Sequence, residues 1–104
     1  APCDGLLLLG YPLHPPGKPD ALRVAHFPRI LAPSLFFAGT RDPLSRLDLL
    51  RASLPALAGP WQMHVVEGGD HSLAVPKRQG RSHAEILAEV VHRSDAWLRE
   101  LAGA

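Results

Sequence analysis

Apolar residues recur in this chain with two different spacings, and the contrast predicts its architecture. Leu6-Leu7-Leu8-Leu9 is apolar at every position, which predicts a strand covered on both faces, as in the interior of a parallel sheet. Gly5 and Gly10 bracket too few residues for a helix. Ser34 to Ala38 and Met63 to Val66 read as second and third strands. Between them Leu44, Leu47, Leu50 and Leu54 recur at helical spacing, predicting a helix from the Asp42-Pro43 step to about Ser53. From Ser82 to Leu101 a longer helix is predicted, with Ile86, Leu87, Val90, Val91, Trp97, Leu98 and Leu101 as one apolar stripe. Ser82 and Glu85 form a capping box that fixes its start.

The connections complete the pattern. Tyr11 to Pro19 holds four prolines in nine residues, so it is an extended, semi-rigid loop with few amide donors. Asp20 to His26 is expected to make one or two helical turns before the second strand. Strand, helix, strand, loop, helix predicts an α/β fold of three parallel strands with flanking helices and right-handed crossovers. Three strands are few, and an edge as apolar as Leu6 to Leu9 calls for a neighbour.

Two strand ends carry candidate chemistry. Phe36-Phe37-Ala38-Gly39-Thr40-Arg41-Asp42-Pro43 delivers a carboxylate, and Gly68-Gly69-Asp70-His71-Ser72 delivers an imidazole, to the carboxyl edge of such a sheet. Asp42 suits the orientation of a histidine ring; it equally suits an N-cap, with Pro43 at the first helical position. His71, in a loop where two glycines allow a tight turn, suits proton transfer near neutral pH; the alternative is a partly exposed loop histidine. Asp70 is a better turn-former than orienting partner. In the proline-rich loop Tyr11 and His14 are candidates for substrate contact at the sheet's rim, with Lys18 beside them; a rigid connector explains the same residues.

His64 alternates with strand core residues, His83 and His92 fall on the last helix, and none of the histidines has the spacing of a metal site. No metal or organic cofactor is expected. Gly80-Arg81-Ser82-His83-Ala84 superficially looks like a nucleophile elbow, but no strand precedes it, and Ser82 is a helix cap. Trp61 is expected to anchor a loop.

Composition narrows the partners. With 104 residues the chain has the size of one domain or part of one, able to bury about 60 to 65% of its unfolded surface. Eleven basic and 10 acidic residues give a net charge of +1, too little to draw in a nucleic acid. The longest apolar run is far short of the ~20 residues that cross a bilayer, so no membrane partner is expected. The lone Cys3 has no intramolecular partner, which fits a reducing, cytoplasmic setting.

Taken together, Leu9-Gly10-Tyr11-Pro12-Leu13-His14-Pro15-Pro16-Gly17-Lys18-Pro19, Gly39-Thr40-Arg41-Asp42-Pro43 and Gly69-Asp70-His71-Ser72 resemble the dienelactone-hydrolase-like part of the α/β-hydrolase superfamily. The branch most similar includes the testis-expressed α/β-hydrolase-like proteins and a subunit of the non-specific-lethal chromatin complex. The resemblance runs from about Gly5 to Leu101. It implies that residues 1–104 are a partial domain, the C-terminal half of a mostly parallel sheet, with Asp42 and His71 at the acid and base positions of a catalytic triad. Acid before histidine is the order of that triad's last two members, whose nucleophile sits on an upstream G-x-S-x-G elbow absent from this sequence.

The expected activity is therefore hydrolysis of a small ester, thioester or similar acyl bond by a parent protein, for which this chain supplies two of three catalytic groups. The alternative is a hydrolase-fold binding or scaffold module without chemistry. Either way a missing N-terminal half, or a second chain, is expected against the Leu6–Leu9 edge.

Overall fold

A computed structural model describes residues 5–18 and 20–103; Cys3 and Pro19 lie outside them. Three parallel strands, β1 (Leu6–Leu9), β2 (Ser34–Gly39) and β3 (Trp61–Val66), form one sheet in the order β1-β2-β3. The register pairs Leu6 with Ser34 and Leu9 with Phe37, and then Ser34 with Trp61 and Gly39 with Val66. Helix α1 (Leu47–Ser53) lies in the crossover from β2 to β3, and α2 (His83–Gly103) follows the long loop after β3.

The core divides about β2, every residue of which is buried. Phe36 and Ala38 face one cluster with Leu13, Phe27, Leu50, Leu54 and Leu57. Leu35 and Phe37, offset by one position, face the other with Val66, Leu73, Ile86, Val90 and Trp97. Each fully buried large apolar side chain contributes roughly 1.5–3 kcal/mol, so the central strand and its two layers carry most of the stability.

The α/β reading holds, with several local corrections. β1 is covered on alternate positions only: Leu7 and Leu9 are 44% and 58% exposed, against the interior strand the continuous run predicts. β3 begins at Trp61, two residues before the expected Met63. The segment 20–26 is not helical, because its backbone bonds point elsewhere: Arg23 N–H donates to the Leu13 carbonyl at 2.7 Å, and a 3₁₀ turn follows at Phe27–Arg29. Helix α1 starts at Leu47, later than Asp42-Pro43 predicts, and runs into a 3₁₀ turn at Leu54–Ala56.

The capping box forms as the spacing predicts. Glu85 N–H donates to Ser82 Oγ, and Ser82 N–H donates to Glu85 Oε1, both at 3.1 Å. That bonding holds the Glu85 carboxyl below its usual range. Of the α2 stripe, Ile86, Val90 and Trp97 are buried, whereas Leu87, Val91 and Leu98 are 50%, 65% and 49% exposed. No helix among the described residues is long and apolar enough to cross a membrane.

Candidate functional site

At the carboxyl rim, the loops leaving β2 and β3 are tied to each other before either bears its functional group. Thr40 N–H donates to the Val66 carbonyl at 3.2 Å, and Arg41 N–H to the Gly69 carbonyl at 2.9 Å. In return Gly68 N–H donates to Thr40 Oγ1 at 2.6 Å. The approach is so close that a Cβ at Gly39 would run into the backbone of Gly69 and Asp70. Gly10, at the end of β1, is equally constrained: its φ is +71°, and a Cβ there would collide with the His71 carbonyl oxygen. All three strand ends therefore converge on the His71 loop.

That loop is shaped by Asp70, whose Oδ1 accepts from Ser72 N–H at 2.9 Å and Ala74 N–H at 3.0 Å. The turn puts Leu73 at φ 65°, a strained left-handed conformation, compensated by burying its side chain in the core under α2. Asp70 is thus the turn-former, and the imidazole next to it is directed to another acid.

His71 Nδ1 lies 2.9 Å from Asp42 Oδ2. The Asp42 side chain is 1% exposed and the His71 ring 37% exposed, so a dry carboxylate grips a ring that still meets solvent. Asp42 Oδ1 accepts from Leu44 N–H at 2.8 Å, which leaves Oδ2 for the ring. Asp42 thus caps a short Asx turn, and α1 begins only after Arg46. A carboxylate can only accept, which assigns the proton to Nδ1 and leaves Nε2 as the ring's acceptor. No hydrogen bond occupies Nε2 among the described residues. This arrangement can accept a proton at Nε2 and balance the resulting charge at Asp42.

Beside the ring is a cavity of about 110 Å³ walled by Leu9, Leu73, Ile86, Leu87 and Val90, with Ser72 and His83 at its polar side. A larger hollow of about 230 Å³, between Trp61 and Trp97, lies at the opposite, amino end of the strands and has no part in the rim.

The structure gives Tyr11 and His14 partners within the protein, Tyr11 half-buried and His14 buried. Tyr11 O–H donates to the Arg23 carbonyl at 2.7 Å while its ring packs 5.7 Å from Phe27 and 5.9 Å from Phe36. Burial raises its phenol pKa. His14 is 2% exposed and both ring nitrogens have protein partners, Arg46 N–H and the Pro15 carbonyl. Sequence reasoning missed Thr40, Gly10 and Gly39 as builders of the rim; a glycine followed by a polar residue at a strand end was the available signal.

A second histidine–carboxylate pair joins β3 to α2. His64 Nε2 lies 2.6 Å from Glu89 Oε2, and Arg81 also binds Glu89. The His64 hydrogen bond, with Arg81 behind it, holds the Glu89 carboxyl below its usual range. Among the described residues no group of three or more histidine, cysteine or acidic side chains is arranged to hold a metal ion.

A family model described as "Alpha/beta hydrolase domain" matches residues 1–99. No solved structure matches the chain.

Proposed function

The chain belongs to the alpha/beta hydrolase domain family, and from that premise we propose that it supplies the acid and the general base of a serine-type hydrolase acting on a small ester, thioester or similar acyl bond. The observation carrying this reading is the 2.9 Å contact between His71 Nδ1 and a buried Asp42 carboxylate. In the proposed mechanism Asp42 fixes the Nδ1–H tautomer and His71 Nε2 removes the proton of an attacking hydroxyl. The same nitrogen then returns the proton to the leaving group. The apolar cavity of about 110 Å³ beside the ring supports a small acyl group as the substrate's fitted part. The dienelactone-hydrolase-like resemblance points the same way.

The nucleophile belongs, in this reading, to a strand–turn–helix segment that adds in parallel to the outer edge of β1. Leu7 and Leu9 on that strand are exposed, as are Leu87, Val91 and Leu98 on α2, and Leu9 and Leu87 wall one cavity; this is the apolar surface such a segment would cover. The segment's turn would then end beside Leu9, which lines the same cavity as His71. Light scattering tests the occupant: the 104-residue chain alone is expected to stay monomeric, and a dimer broken by Leu98→Asp would reassign this face to self-association.

The test of the chemistry uses the chain together with its nucleophile-bearing segment and a short-chain p-nitrophenyl ester. His71→Ala should lower turnover roughly 10³-fold or more with the fold retained. Unchanged turnover would remove His71 from the mechanism. Failure of the intact protein to label with a fluorophosphonate probe would favour the binding-module reading instead.

A further inference from the structure

We infer that His14 is a positioning residue for the Asp42–His71 pair, acting through the turn that holds Asp42 rather than through substrate. This inference rests on the functional reading above. His14 is a titratable side chain almost fully shielded from solvent, which a loop residue that serves only as a connector has no reason to be. Its Nε2 accepts from Arg46 N–H at 3.1 Å. An amide only donates, so Nε2 is unprotonated and the proton sits on Nδ1, which lies 3.0 Å from the Pro15 carbonyl oxygen. His14 also donates its own backbone N–H to the Leu44 carbonyl at 3.0 Å.

Leu44 and Arg46 are therefore both pinned by one buried residue, and Leu44 N–H is the donor to Asp42 Oδ1. A continuous path of hydrogen bonds leads from the proline-rich loop through the 44–46 turn to Asp42, and from Asp42 Oδ2 to the His71 ring. The prolines give the path a rigid base. Pro15 and Pro16 have fixed φ angles, and Lys18 N–H donates to the same Pro15 carbonyl at 3.1 Å, which holds that acceptor in place. The ring of His14 supplies shape, an acceptor facing the turn and a donor facing the loop; phenylalanine keeps only the first. Glutamine supplies a carbonyl near the position of Nε2 and an amide donor behind it.

Ring nitrogen NMR on the 104-residue chain reads the consequence without an assay, because the ¹⁵N shifts of a neutral histidine report which nitrogen carries the proton. At a pH where His71 is neutral, the wild-type chain should show His71 as the Nδ1–H tautomer. His14→Phe should shift His71 to a mixture of tautomers and speed hydrogen exchange at Leu44 N–H about 10-fold or more. His14→Gln should restore both. In the protein carrying its nucleophile, His14→Phe should lower kcat roughly 10- to 100-fold with KM unchanged, the size expected for a reacting group displaced by a fraction of an ångström to 1 Å. His14→Met, which fills the space with a more adaptable side chain, gives the same readouts should the phenylalanine variant not fold.

An unaltered His71 tautomer and Leu44 exchange in folded His14→Phe or His14→Met would overturn the inference while leaving the Asp42–His71 reading intact. A raised KM with unchanged kcat would overturn it in favour of substrate contact. A wild-type chain without the Nδ1–H tautomer at His71 would instead defeat the functional reading on which it stands.

Discussion

Adding a single methyl group at Gly39 probes how tightly the rim is built. Gly39 ends β2, and a Cβ there would overlap the Gly69 carbonyl and press on the Asp70 carbonyl oxygen at 2.8 Å. These are backbone atoms, so no rotamer change can relieve the overlap; the two loops must part by on the order of 1 Å to reach an ordinary carbon–oxygen contact. Parting them strains the Arg41 N–H to Gly69 bond and the Gly68 N–H to Thr40 Oγ1 bond. Overpacking of this kind costs about 1–3 kcal/mol, and each 1 kcal/mol lowers the melting temperature of a domain this size by about 4–8 °C. Gly39→Ala should therefore lower Tm by roughly 4–24 °C in a thermal melt followed by circular dichroism. Gly103→Ala, at an α2 position with open space around it, is the control and should leave Tm within a few degrees. The same Gly39→Ala displacement should weaken the His71–Asp42 contact, seen as loss of the Nδ1–H tautomer. A Gly39→Ala chain with wild-type Tm would refute the claim that this close approach holds the rim together.

Two further perturbations separate other features. Glu89 has a depressed carboxyl pKa in the fold, so its contribution is complete above the ordinary glutamate value and is lost as pH falls through the depressed one. Glu89→Gln should cost about 1–2 kcal/mol at pH 7 and remove part of the acid limb of the stability profile, measured by urea denaturation from pH 7 to 3; an unchanged limb would discount the His64–Glu89–Arg81 link. Ser45 Oγ is buried without a hydrogen-bond partner among the described residues, so Ser45→Ala should be neutral or stabilising by up to about 1 kcal/mol, and a clear loss of stability would show that the hydroxyl has a partner such as a water.

What could be read from the sequence was local or periodic. The start of α2 was readable because both halves of its cap, Ser82 and Glu85, lie within one turn. The meeting of Asp42 and His71 was readable because two neighbouring parallel strands finish on one edge of the sheet, and each runs on within a few residues into a glycine-bearing turn with a polar side chain after it. The late start of α1 and the lack of helix at 20–26 were not, because distant partners decide them. Arg46 N–H bonds a histidine 32 residues earlier, and Arg23 N–H bonds the Leu13 carbonyl. Each bond takes backbone from a local pattern that would otherwise favour a helical turn. The burial of His14 was hidden for the same reason: two of its partners, Leu44 and Arg46, come from the turn between β2 and α1, and proline-rich composition suggests only a rigid loop. The exposed half of the α2 stripe is apolar in sequence and apolar at the surface, so periodicity alone could not say which residues face the sheet.

The functional account depends on a buried carboxylate fixing the proton on one particular nitrogen of His71. The ¹⁵N shifts of that ring, compared between the wild-type chain and Asp42→Asn, test this most directly. The amide of the substituted residue can present N–H to Nδ1, so the proton should move from Nδ1 in the wild type to Nε2 in the variant, turning the solvent-facing nitrogen from acceptor to donor. The same tautomer in both proteins, or Nε2–H in the wild type, would contradict the account.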